Sequence, residues 1–216
     1  YFANKVVWIT GASSGIGRSL ALELARLARM SDVVFSVILS SRGRSELEQV
    51  RAEMTSNFGF PEEAVMVLPM DVSDLDSITS RVEEALRWKG RVDVCFNNAG
   101  VGQKAILANF ASDEKVMMTN ALGSMKLARE VLARCFVPQA SGHLVNTLSI
   151  QAYVALPGRC AYGASKRACL SFFQSLRKEL QLIDWPTYIA LEPPTQVTNP
   201  ENDLPRLQHA IHITNV

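Results

Sequence analysis

No stretch of eighteen apolar residues occurs in the chain, so nothing in it is built to cross a bilayer as a helix. Neither sign of charge dominates: 22 Lys and Arg stand against 21 Asp and Glu, for a net +1. That leaves no electrostatic case for a nucleic-acid partner. The four cysteines (Cys95, Cys135, Cys160 and Cys169) form no C-x-x-C pair, and no histidine falls at a metal-ligand spacing, so no metal is expected. Cys95 and Cys169 lie in apolar patterns as small core residues, and this usage leans toward a reducing compartment. Repeats and low-complexity linkers are also lacking, so one domain over residues 1–216 is expected. The chain opens on Tyr1-Phe2 without a Met, which raises the expectation of an upstream signal or anchor outside these residues.

What is present is a regular alternation. At 48% hydrophobic and 20% charged, the chain has an ordinary globular composition and enough length for a sizeable core. Short β-branched runs read as strands at Lys5–Thr10, Val33–Leu39, Ala64–Leu68, Val92–Phe96, Gly142–Leu148 and Tyr188–Leu191. Helical periods fall between them at Arg18–Met30, Ser45–Phe58, from Ser73-Asp74 to about Lys89, at Ser112–Phe136, and from Tyr162 to about Gln181. Such alternation predicts an α/β fold: one doubly wound parallel sheet of Rossmann type, covered on both faces.

The first strand runs straight into Gly11-Ala12-Ser13-Ser14-Gly15-Ile16-Gly17 and then into a helix. Glycines let a backbone approach a pyrophosphate closely, and the helix N-terminus offers it N–H groups. A tight turn is the plainer reading of glycines alone, but the strand-loop-helix context favours the cradle. At the end of the second strand stand Ser40, Ser41 and Arg42. A site for NAD usually places an acid there to accept from the ribose 2′-OH. No acid occurs before Glu46, and Arg42 offers planar donors suited to a 2′-phosphate, with Arg44 as a second candidate. NADP is therefore preferred over NAD, a solvated Arg at a strand end being the alternative. Ser13, Ser14 and Ser41 offer hydroxyl contacts. Asp71, followed by Val72, is placed to meet the adenine amino group or else to cap the next helix.

Ser149–Lys166, SIQAYVALPGRCAYGASK, carries the chemistry. Tyr162 and Lys166 are four apart, so on a helix they emerge one turn apart on one face. An ammonium beside a phenol favours the phenolate, and a phenol tuned in this way passes protons near neutral pH. Ser149 follows an apolar strand at its carboxyl end, where open α/β sheets place ligands. Asn120 interrupts a long helical pattern with a poor helix former, which suggests a local reason for it. A packed Tyr under a solvated Lys stem is the alternative for the pair taken alone.

Together these residues resemble the short-chain dehydrogenase/reductase family over nearly the whole chain: TGASSGIG at Thr10–Gly17, NNAG at Asn97–Gly100, Asn120, Ser149, and YGASK at Tyr162–Lys166. Within the family the chain is most similar to the member 7 and 7B dehydrogenase/reductase group, through VVWITGASSGIG, SIQ and AYGASKRA. Pro193-Pro194 also resembles the 3-ketodihydrosphingosine reductases. The resemblance implies NAD(P) over the glycine loop, Tyr162 as general acid/base, Ser149 on the substrate oxygen, and Lys166 on the nicotinamide ribose. It implies that the Asn120 carbonyl holds a water joining Lys166 to solvent. It places Asn98, Ala99 and Gly100 beside the adenosine ribose, and Pro193 and Thr198 at the carboxamide.

The subgroup implies an apolar substrate (a lipid, steroid or retinoid), a homo-oligomer, and an endoplasmic reticulum anchor outside this chain, with the cytoplasm as the alternative location. Tyr153, Leu156 and Pro157 are candidate pocket residues. The chain stops where the family continues into a substrate loop, a helix and a seventh strand, so a truncated C-terminal part is expected. Two other functions stay open. One is a 3-ketosphingoid reductase, and the other an NADP(H)-binding regulator without useful catalysis, which the second proline and a shortened lid would suit.

Overall fold

β1 (Val6–Thr10) is buried along its whole length, as a central parallel strand must be. The computed structural model describes residues 1–104, 106–107, 110–182 and 211–216. Around β1 it places β2 (Ser36–Ser40), β3 (Val65–Val67), β4 (Val94–Asn97), β5 (Gly142–Asn146) and β6 (Ile211–Asn215). All pairings are parallel, in the order β3-β2-β1-β4-β5-β6. That is the strand order of a Rossmann sheet, and the direction of the order changes between β1 and β4.

Alternation along the strands splits the core into two layers. Val7 and Ile9 of β1, with Val37 and Leu39 of β2, pack beneath α1 (Gly15–Ser31) and α2 (Arg44–Phe58). On the opposite face Trp8, Ile38, Cys95 and Leu144 meet α3 (Leu75–Lys89), α5 (Ser124–Val131) and α6 (Cys160–Leu182). The buried Trp8 indole N–H donates to Ser40 Oγ at 2.8 Å, so its burial leaves no orphan donor. Register is fixed at the base by Asp93, 2% exposed, which accepts the Val6 N–H at 2.8 Å and pairs with Arg91.

Two expectations change. The helix expected over Ser112–Phe136 is not continuous: α4 (Phe110–Met117) and α5 are separated by a π-helical turn at Met118–Gly123, and a second closes the segment at Leu132–Phe136. The first turn is closely packed at Gly123, where an added Cβ would lie 2.0 Å from the Val72 carbonyl oxygen. The other change concerns the sheet edge. β6 is Ile211–Asn215, paired with β5 through His143↔His212 and Asn146↔Asn215, whereas the expected strand at Tyr188–Leu191 lies outside the described residues. Other boundaries move by up to three residues. The second strand, for example, begins at Ser36 because Asp32 ends α1 in the left-handed region (φ 49°) and Val33 turns back onto Ala28.

Candidate active site

The carboxyl ends of β1, β2, β4 and β5 open into one cleft of about 400 Å³. Its floor is the glycine loop. Gly11 holds φ +67°, and an added Cβ there would touch Ala99 Cα at 3.0 Å. At Gly17 an added Cβ would lie 2.3 Å from the Gly11 carbonyl oxygen, so only glycine lets α1 pack this close under the loop. Ser14 stands at the N-cap of α1 with its side chain making no capping bond, so the first N–H groups of the helix have no side-chain acceptor there. The NNAG turn is stitched to this loop. Thr10 Oγ1 accepts the N–H groups of Asn98 and Ala99, each at 3.0 Å. Asn98 Nδ2 donates to the Thr10 carbonyl at 2.9 Å, and Thr147 Oγ1 donates to Asn98 Oδ1 at 3.1 Å.

The cleft is lined at one end by Ser41, Arg42, Asp71 and Val72, and at the other by Tyr162 and Lys166, with Gly11, Ser13, Ser14, Gly15, Ile16, Asn98, Ala99 and Gly100 also along its wall. Burial alone would raise the Asp71 carboxyl. The hydroxyl and N–H of Ser73, with the positive charges of Arg42 and Lys115, hold it below the usual range instead.

At the other end, α6 presents Tyr162 and Lys166 one turn apart, with the amine 5.9 Å from the phenol ring centre. Lys166 is only 6% exposed, and its amine donates to the Thr147 carbonyl at 2.8 Å. Burial lowers its pKa, and the nearby Cys169 thiol opposes that shift. A Cβ added at Gly100 would lie 3.2 Å from Asn120 Oδ1 and 3.8 Å from Lys166 Nζ, which shows how closely these three positions converge.

Of the expected catalytic and cofactor residues three lie off the cleft wall, as do Arg44 and the candidate pocket residues Tyr153, Leu156 and Pro157. Gly17 is buried beneath the loop. Asn120 is buried behind the wall: Oδ1 accepts the Val101 N–H at 2.7 Å, and Nδ2 donates to the Val101 carbonyl at 2.9 Å. Its own carbonyl takes the Cys169 S–H at 3.0 Å. Ser149 is half-buried, and its hydroxyl oxygen accepts the Gln151 N–H at 3.2 Å, so its own proton stays available to donate. Pro193 and Thr198 lie outside the described residues.

The structure adds residues that no motif marks. Thr147 holds Lys166 from one side and Asn98 from the other. Gln103, 5% exposed, accepts the first-turn N–H groups of α6 from Ala161 (3.0 Å) and Tyr162 (3.3 Å), and donates to Asp113. It thereby fixes the helix end that carries Tyr162. Arg159 also lines the cleft, its guanidinium 5.5 Å above the Tyr162 ring. These contacts join positions up to 59 residues apart, beyond any local spacing rule.

The family model described as short chain dehydrogenase matches residues 5–185. The chain belongs to the short-chain dehydrogenase family. It is 36% identical to "Dehydrogenase/reductase SDR family member 7" of Homo sapiens over 82% of its own length and 51% of the relative's. It is also 36% identical to "NADP-dependent 3-hydroxy acid dehydrogenase" of Schizosaccharomyces pombe, over 82% of this chain and 66% of that one. A solved short-chain dehydrogenase from Burkholderia phymatum, in complex with NAD, superposes with a TM-score of 0.73 at 28% identity, over 83% of this chain and 61% of that one. The chain thus spans about half the length of the human relative.

The uncapped first-turn N–H groups of α1 and a cleft that runs from Ser41 and Arg42 past the glycine loop to Tyr162 and Lys166 fit a nicotinamide dinucleotide. Among the described residues no group of three or more His, Cys, Asp or Glu is arranged to hold a metal ion.

Proposed function

We propose that this short-chain dehydrogenase moves a hydride between NADP(H) and the carbonyl or alcohol carbon of an apolar substrate. The observation that carries the reading is the pairing of Tyr162 with a buried Lys166 at one end of a cleft whose other end holds Arg42. When bound, the nicotinamide supplies or accepts the hydride. In the reductive direction negative charge grows on the substrate oxygen. Tyr162 donates its hydroxyl proton to that oxygen, and the hydroxyl of Ser149, its oxygen already engaged by Gln151, donates a second hydrogen bond. Lys166, held by the Thr147 carbonyl, keeps its amine on the Tyr162 side of the cleft.

NADP is favoured over NAD because Arg42 stands on the cleft wall after β2 and the S. pombe relative carries NADP in its name. The Burkholderia relative was solved in complex with NAD, so Arg42 bears the weight of this choice. An apolar substrate is favoured by the exposed Tyr153, Val154 and Leu156 just before α6, and by Ile106 and Leu107 on the loop after Gly100. The 3-ketosphingoid alternative rests on Pro193-Pro194, outside the described residues. Homo-oligomerisation and anchoring to the endoplasmic reticulum belong to this proposal through the subgroup. Among the described residues, no helix is long and apolar enough to cross a membrane.

The test is NADPH oxidation against a panel of ketones. Turnover is expected in the wild type, and Tyr162→Phe should reduce it by about 10²-fold or more while leaving NADPH binding in place. A Phe variant that turns over normally would remove Tyr162 from the chemistry. NADPH binding without turnover of any ketone would favour the regulator.

A further inference from the structure

Among the described residues four charged side chains line the cleft, and three have work there. Asp71 is held by Ser73 and faces Arg42, which stands at the β2 end, and Lys166 donates to the Thr147 carbonyl. Arg159 is the fourth. Its guanidinium stacks 5.5 Å from the centre of the Tyr162 ring, and among the described residues it has no acidic partner within ion-pair reach. It is half-buried in a wall that also contains Gly102, where an added Cβ would lie 3.5 Å from an Arg159 terminal nitrogen. A guanidinium so placed keeps its planar donors beside the group that gives up the proton.

We propose that Arg159 reads a carboxylate on the substrate, so that this end of the cleft takes an oxo acid, or the matching hydroxy acid, with an apolar body. The proposal rests on the hydride-transfer reading above and narrows its substrate class. A guanidinium binds a carboxylate through two parallel hydrogen bonds, and the pair gains strength where water is scarce. A carboxylate held there sits close to Tyr162, so the carbonyl it accompanies is only a few bonds away. Exposed apolar side chains adjoin both the Arg159 and the Gly102 segments in the chain and could meet the apolar body. Tyr153, Val154 and Leu156 precede Arg159 in the chain, and Ile106, Leu107 and Phe110 follow Gly102, all of them exposed. The reaction stays balanced: one hydride reaches the carbonyl carbon, one proton passes from Tyr162 to its oxygen, and the carboxylate is unchanged.

The experiment compares a medium-chain 3-oxo acid with its methyl ester under NADPH. The acid is expected to show a KM at least tenfold below that of the ester. Arg159→Gln should remove that advantage by raising the acid's KM at least tenfold more than the ester's, and Arg159→Lys should restore part of it. Equal KM values in the wild type would overturn the proposal. So would an Arg159→Gln effect that falls on acid and ester alike, or on NADPH. Should neither compound turn over, hydride transfer itself is at fault, and calorimetry with decanoate decides the site alone. Binding to wild type that is lost in Arg159→Gln supports the carboxylate reading. No binding, or binding that survives the substitution, overturns it.

Discussion

Arg42 and the residue types around it set the choice between two cofactors that differ by one phosphate. The side chain is exposed on the cleft wall at the end of β2, and Ser41 beside it offers a hydroxyl where an acid would accept from a ribose. Replacing Arg42 with Glu removes the cation that suits a 2′-phosphate and supplies the missing acceptor. Arg42→Glu is expected to raise the Kd for NADPH by roughly tenfold to a hundredfold, as the loss of one charge-assisted contact, and to improve the Kd for NADH. Fluorescence titration with both nucleotides measures the ratio, and an unchanged ratio would return Arg42 to the role of a solvated strand-end residue. Arg42 was legible because its position follows from a strand, a turn and an absence of acids. The same holds for Tyr162 and Lys166, whose spacing of four already implies a shared helix face. Gln103, Thr147 and Arg159 were not legible as site residues. Their roles arise from partners on other elements, and no periodicity within their own segments points at those partners.

At the scale of elements, β1 to β5 were readable as β-branched runs and the helices as apolar periods, whereas no strand was expected at β6 (Ile211–Asn215). What the periods conceal is the pair of π-helical turns at Met118–Gly123 and Leu132–Phe136. Their apolar spacing passes for an ordinary helix, and Asn120 was the single residue that spoke against one. The first turn lies where Gly123 packs on the backbone after β3, with no room for a side chain against the Val72 carbonyl. It also carries Asn120, whose side chain braces Val101 on the cleft wall, so packing at Gly123 and the shape of the cleft are one problem. Gly123→Ala should therefore cost roughly 2–3 kcal/mol and weaken nucleotide binding as well, since Val72 lines the cleft. Gly90→Ala is the comparison. Its φ of +72° strains an alanine, but nothing lies within 4 Å of the added Cβ, so it should cost about 1 kcal/mol and leave binding alone. Urea unfolding with a nucleotide titration reads both effects, and equal behaviour of the two variants would discount the backbone contact.

Across the whole molecule, a parallel sheet covered on both faces buries groups that an antiparallel sheet could leave wet, and this sets the response to alkali. Cys95 and Cys135 are fully buried, and Cys169 is nearly so. Burial pushes the Cys95 and Cys169 thiols up and Cys135 up to about 12. In the unfolded chain such thiols release their protons near pH 8.5. Above that pH the folded state holds more protons than the unfolded one, so stability falls as pH rises. Lys166 acts in the opposite sense. Its buried amine has a lowered pKa, so up to the ordinary lysine value the unfolded state binds the extra proton and stability rises with pH. Three thiols against one amine leave a net loss, on the order of 2 kcal/mol or more between pH 8.5 and 10. Urea midpoints in the presence of a reductant measure it. Cys135→Ala separates the titration from packing: the lost sulfur should lower the curve at every pH, while the lost titration should make its alkaline limb shallower. A variant curve parallel to the wild type up to pH 10 would mean that the alkaline loss comes from groups outside this core.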